Sequence, residues 1–300
     1  QNIQGMFTNA KLFNNGDNPG EDNKSFVWDT DKIKGSLYKT FYNTHSFNQD
    51  ISNWNTGQIT NMAFMFNNSL NFNTDLGQWD VGNVVNFQSM FENVNKFNQD
   101  ISNWETVSAT NMFKMFCNTI DFDQNINTDI DKWDTSNVTS MKWMFKNTDF
   151  NGNISEWNVS KVENLREMFD NATEFNQDIS KWKMKSAVDI VNMFRYASKF
   201  NCAGHGMVNW LEDGVINSNL KDFTGLFNGA ISFNVSVKNW NTQNITNMNS
   251  MFKNAEQFNG DLLNIIVRNV DNMSEMFSGT KMFEQNIRSW GVKSTCNLTN

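Results

Sequence analysis

A phenylalanine returns about every twenty-five residues along this chain, and that ruler restricts the possible folds more than any single motif does. The second residue of a Met-Phe-like pair stands at Phe7, Phe41, Phe66, Phe91, Phe116, Phe145, Phe169, Phe194, Phe227, Phe252 and Phe277, with most successive spacings at 24 or 25. Six residues after nearly every anchor comes another Phe, as at Phe47, Phe72, Phe97 and Phe122, with Phe150 one place early. Seven further on stands a Trp: Trp54, Trp79, Trp104, Trp182, Trp240 and Trp290, with Trp28, Trp133, Trp157 and Trp210 in units of altered length. Only the unit around Ile265 lacks it. A chain built this way must place equivalent residues one above another.

Within a unit the apolar positions, counted from the anchor, are −7, −4, −1, 0, +3, +6, +10 and +13, as in Val84, Phe87, Met90, Phe91, Val94, Phe97, Ile101 and Trp104. The three-and-four spacing from −7 to +3 predicts a short amphipathic helix. The following Asn-Gln-Asp-Ile-Ser-x-Trp reads as a turn entering a short strand. The expected fold is a leucine-rich-repeat-like solenoid of eleven units over 1–300, each with one helix and one strand. A helix of about ten residues is marginal alone, so stacking must hold it. The predicted core is the columns Phe41, Phe66, Phe91, Phe116, Phe145, Phe169, Phe194, Phe227, Phe252 and Phe277, with Trp54, Trp79, Trp104, Trp133, Trp157, Trp182 and Trp240. Strands sit about 4.8 Å apart and helices about 8–10 Å, so the array should curve with strands on the concave side.

Composition enters here as a test of that lattice. Phe (27), Met (17) and Trp (11) carry the apolar share beside 53 Asn and one Pro. Amides at equivalent positions can bond the neighbouring coil, and Asn48, Asn73, Asn98, Asn176, Asn201, Asn234 and Asn259 are placed to form such a ladder. Loop-like insertions fall near 14–27, 123–131 and 201–211. Ile3 and Leu298 occupy mid-unit positions, so the chain is expected to be part of a longer array.

The net charge of −8 leaves a phosphate-tracking groove without support, so nucleic acid is not an expected partner. No run approaches the roughly 18 apolar residues of a membrane span. Cys117, Cys202 and Cys296 are too scattered for a disulfide framework or a cysteine zinc site. Cys202 and His205 are close, but no third group joins them, and no catalytic or cofactor-binding residue is assigned. The recurrent acids Asp50, Asp75, Asp100 and Asp178 read as caps on backbone N–H groups. The alternative, a cation ladder, lacks the glycine-rich nonapeptide of calcium-binding solenoids.

The unit Phe-Asn-Gln-Asp-Ile-Ser-Asn-Trp at 47–54 and 97–104, its near copy at 175–182, and the run from Trp133 to Phe145 resemble the BspA-like surface-protein repeat. That repeat is a leucine-rich-repeat-like unit of bacterial surface proteins and mycoplasma lipoproteins. The resemblance spans essentially the whole chain and implies a noncatalytic solenoid on a cell surface, used in adhesion to proteins or glycans. Similar arrays also occur in protists and large DNA viruses. The other expectation, with which long columns of exposed Asn and Thr are compatible, is an architectural protein of a filament, sheath or virion that docks on its own copies. Ile265 in place of Trp, the first unit and the 201–211 region depart from the pattern.

Overall fold

The computed structural model describes residues 2–16, 28–123, 133–207, 210–211 and 217–299. Most of the insertions expected near 14–27 and 123–131, and part of that near 201–211, lie outside the described residues. The chain divides into two compact units. Unit 1 comprises 1–138 and 143–152, and unit 2 comprises 139–142 and 153–300.

In unit 1 the anchor rings form one column. Phe66, Phe91 and Phe116 lie one above another, 5.7 and 5.6 Å apart and within 10° of parallel, and Phe41 and Phe145 continue the series at 5.7 Å. A second column of Phe47, Phe72, Phe97, Phe122 and Phe150 runs beside it, 3.9 Å from the first at Phe66 and Phe72. Unit 2 repeats this with Phe169, Phe194, Phe227, Phe252 and Phe277 at 5.5 to 5.8 Å. Burying rings of this size stabilises each coil by about 1.5–3 kcal/mol apiece. Offset near-parallel packing is also a favoured aromatic arrangement.

The expected helix is not there. Among the described residues the regular elements are two short parallel strands, β1 (Gly35–Ser36) and β2 (Ile59–Asn61), and a 3₁₀ turn at Cys202–Gly204. Where the helix was predicted, each coil is a run of consecutive turns. Around Phe66, the N–H groups of Met65, Asn67 and Ser69 bond carbonyls three residues back. Those of Met62, Phe64, Phe66 and Asn68 instead leave the coil, reaching the carbonyls of Asn86, Gln88, Met90 and Glu92 at 2.8 to 3.0 Å. In unit 2, Phe223, Gly225, Phe227 and Gly229 bond the next coil in the same way. Alternate donors therefore serve the coil and its neighbour, so the backbone is satisfied only by stacking.

This geometry requires a positive φ twice per coil, at −2 and +2: 59° at Phe64 and 60° at Asn68, 51° at Ser89 and 61° at Asn93. These are the third residues of the 62–65 and 66–69 turns, where a type II turn needs φ above zero. Two four-residue turns repeat their apolar positions nearly as an α-helix does, which is why the periodicity misled.

The strand expectation is corrected in position. Parallel bridges link Asn61, Asn86 and Asn111 in unit 1. In unit 2 they link Ser140, Asn164 and Asp189, and also Asp222, Asn247, Asn272 and Asn297. They fall five residues before the anchor (Ser140, for Phe145) rather than in the segment leading to the Trp, where Asp50 alone among the described residues is a bridge. The asparagines and aspartates among these residues each make an Asx turn, as where Gln88 N donates to Asn86 Oδ1 at 3.0 Å, and this bends the chain after one pair.

Candidate functional site: the polar faces of the coils

The predicted core residues lie under these faces. Nine of the ten predicted phenylalanines and all seven predicted tryptophans are buried; Phe277 is half-buried. The tryptophans turn the corners of the coils, and in five of the seven the indole N–H reaches back one coil. Trp79 donates to Ile51 O at 3.0 Å, Trp104 to Leu76 O, Trp133 to Ile101 O, Trp182 to Ile154 O and Trp240 to Met207 O. A bond plus a buried ring at these five corners ties each of them to the coil before.

Along that corner lie open grooves at equivalent positions, one in unit 1 and two in unit 2. One, of about 520 Å³, is walled by Gln78, Asp80, Asn103 and Glu105. A second, of about 240 Å³, has Glu156, Asn158, Lys181 and Lys183 in the same four places. A third, of about 530 Å³, has Asn239, Asn241, Asn264 and Ile266. The backbone repeats while the wall changes from acidic, through mixed charge, to amide.

The predicted amide ladder is present. The side-chain oxygen of Asn48 accepts from Asn73 N at 2.8 Å, Asn73 from Asn98 N at 2.9 Å, and Asn98 from Asp123 N. In unit 2, Asn176, Asn201, Asn234 and Asn259 do the same, at 2.7 to 3.0 Å. The recurrent acids bond within their own coil. Asp50 accepts from Ser52 N, Asp75 from Gly77 N, Asp100 from Ser102 N and Asp178 from Ser180 N, all at 2.8 to 2.9 Å. The Ser102 hydroxyl and amide hold the Asp100 carboxyl below its ordinary range. Burial pushes Asp178 up, but the Ser180 hydroxyl and amide, His205 and Lys181 leave it lowered on balance. Among the described residues no three His, Cys, Asp or Glu side chains gather as a metal site requires.

A further face, made by the turns at −3, −2 and +1, differs between the units. In unit 1 it carries half-buried aromatics and lysines. The Lys39 ammonium sits 5.3, 4.9 and 5.5 Å from the ring centres of Tyr38, Tyr42 and Phe64. Lys114 and Lys146 lie 4.7 and 5.1 Å from that of Trp143, and Lys114 also pairs with Glu92 at 2.7 Å. In unit 2 the same positions carry a bidentate pair in which Arg195 donates to Asp170 at 2.8 and 2.7 Å, and Lys253 paired with Glu275.

Comparison with known families places this geometry. A family model described as "Mycoplasma protein of unknown function, DUF285" matches in three tandem segments, residues 1–128, 123–215 and 208–300. The chain belongs to this family. The three DUF285 matches, which together span the chain, make it a tandem-repeat protein of mycoplasma type. No curated protein and no solved structure matches the chain. No helix among the described residues is long and apolar enough to cross a membrane.

In this DUF285 chain the one thiol–imidazole pair does not assemble. Cys202 is buried, and burial pushes its thiol up to about 11, the reverse of what a thiolate nucleophile needs. His205 is exposed and faces Asp178 at 3.7 Å. Sequence reasoning missed the aromatic–lysine face. Phe64 and Trp143 stand at −2, outside the apolar stripe, and an aromatic residue off the stripe was the available signal.

Proposed function

We propose that the chain is a noncatalytic solenoid of a cell-surface or extracellular protein, and that its extended faces recognise a protein or glycan. The observation that carries this reading is the corner groove. The same backbone and the same buried tryptophan recur under walls of three different chemistries. A catalytic site concentrates converging groups at one place, whereas a stack of coils offers area, and varying only the side chains over a fixed frame selects a partner. The motifs shared with BspA-like repeats support the same reading.

The test is solution size together with capture. Light scattering should give a concentration-independent monomer, and arrays of purified matrix proteins and glycans should show saturable binding to a defined member. Growth into ordered polymers, with no binding on either array, would favour the architectural reading instead.

A further inference from the structure

We propose that the amide-walled corner groove of unit 2 binds a neutral oligosaccharide. This rests on the recognition reading above and names the ligand class of one of its grooves.

Each groove is walled by the residues on either side of the corner in two successive coils. Before the corner, the unit 1 groove and the amide groove agree in carrying amides, Gln78 and Asn103 in one and Asn239 and Asn264 in the other. After it they part: Asp80 and Glu105 stand in unit 1, Asn241 and Ile266 in the amide groove.

Three observations meet in the amide groove. First, its donors and acceptors are open. Among the described residues the side-chain amides of Asn239, Gln243 and Asn264 have no hydrogen-bond partner, and all three are exposed. In the mixed-charge groove the residues at the places of Asn239 and Asn264 pair with each other, Lys181 donating to Glu156. Second, the frame beneath is fixed. The Thr242 hydroxyl donates to Ile266 O at 2.9 Å and accepts from Ile266 N at 2.7 Å, and Gln243 N donates to Asn241 Oδ1 at 3.1 Å. A wall held this way loses little freedom when a ligand arrives. Third, the space is of ligand size. Its volume of about 530 Å³ falls within the roughly 300–1,000 Å³ of small-ligand sites. Successive coils stand 5.7 Å apart at Phe227 and Phe252, a step close to the length of one hexopyranose.

An amide has two N–H donors and an oxygen with two lone pairs, which suits hydroxyls that both donate and accept. Half-buried Ile266 gives a pyranose an apolar surface for its C–H face. An anionic sugar would need a cation, and Lys238, the charged residue of the lining, faces Asp261 at 3.6 Å. An apolar ligand would strip water from the three amides and return no hydrogen bond. An extended peptide gains its specificity from pockets for alternate side chains, and Ile266 is the single apolar side chain beside the buried Trp240 in this lining.

The experiment is calorimetric titration of the full chain with chitotetraose, cellotetraose, mannotetraose, a hyaluronan tetrasaccharide and an uncharged Ser-Thr-Gln hexapeptide. Saturable binding of at least one of the three neutral sugars, unchanged by salt, is expected. Asn239→Ala with Asn264→Ala should weaken it about tenfold or more, since two hydrogen-bonding amides are lost. Ile266→Glu should weaken it by a similar factor, because it sets a carboxylate against the sugar's C–H face. Glu105→Ala, on unit 1, should leave it unchanged. Melting curves of each variant establish folding, and the exposed asparagine pair keeps the test open should Ile266→Glu fail to fold. Absence of binding to all three neutral sugars, tighter binding of the hyaluronan fragment, equal binding of the peptide, or no effect of the asparagine pair would each overturn the proposal. A chain that captures a matrix protein or an acidic glycan on the arrays, with these variants behaving as the parent does, would retain the recognition reading and lose this one.

Discussion

In unit 1 the residue two after each anchor phenylalanine is asparagine from coil to coil: Asn9, Asn43, Asn68, Asn93, Asn118 and Asn147. Unit 2 mixes Asn171 and Asn254 with Tyr196, Gly229 and Gly279. All these positions have φ between 54° and 76°. What is held constant is the backbone conformation, and asparagine is one way to satisfy it while adding a lateral bond. Where the ladder is given up, the outer face becomes individual: the Tyr196 ring lies over Gly229, so closely that a Cβ there would stand 2.4 Å from a ring carbon. The comparison separates a shared spine from faces that each unit is free to alter.

The largest expected effect tests the shared part. Phe116→Ala in unit 1 and Phe227→Ala in unit 2 each remove a fully buried ring from the column and should each cost about 3–5 kcal/mol in urea unfolding. A much smaller loss in one would show that the two spines are not equivalent.

Next come the faces. Asp170→Ala in unit 2 removes a carboxylate whose side chain is 3% exposed and strands Arg195, so a loss of about 2–4 kcal/mol is expected. Gly229→Ala should cost about 2–3 kcal/mol, from the φ of 75° and the contact with Tyr196. Gly229→Asn combined with Tyr196→Asn should lose less than Gly229→Asn alone, with a coupling of about 1–2 kcal/mol in a double-mutant cycle. Additive losses would show that the ring does not set the requirement for glycine.

The smallest effect is at the caps, which both units share. Asp100 and Asp178 have folded-state values below their ordinary ones, so the unfolded chain binds more protons. Their contribution is present above the ordinary carboxylate value of 3.8 and is lost as pH falls through the lower folded one. Asp100→Asn should change stability little at neutral pH, because the amide oxygen still accepts from Ser102 N, as Asn153 and Asn286 accept at matching places. It should also reduce the acid-side loss in a pH series of melts. A melting temperature raised by calcium and made insensitive to it by this substitution would replace the cap with a cation site.

Much of the lattice was legible before any coordinates. The spacing of Phe66, Phe91 and Phe116 placed the rings in register, and the asparagine after the second phenylalanine was assigned its inter-coil bond. That these runs are turns rather than a helix was not recoverable from the apolar pattern, since turns repeating every four residues and an α-helix repeating every 3.6 bury nearly the same positions over eleven residues. The distinguishing mark was the polar residue at +2: eight asparagines and two glycines in eleven units, a preference for positive φ that no helix interior shares. The aromatic–lysine face was illegible for a different reason, because Lys39 and Phe64 are 25 residues apart and meet only when coils stack.

The sequence by itself determined the register, since identical side chains at a fixed interval bury most area when they lie on one another. Only the tertiary structure decided where the backbone donors go. A Phe66 N–H bonds equally well to its own coil or to Met90 of the next, and the choice depends on a neighbour's carbonyl already standing in place.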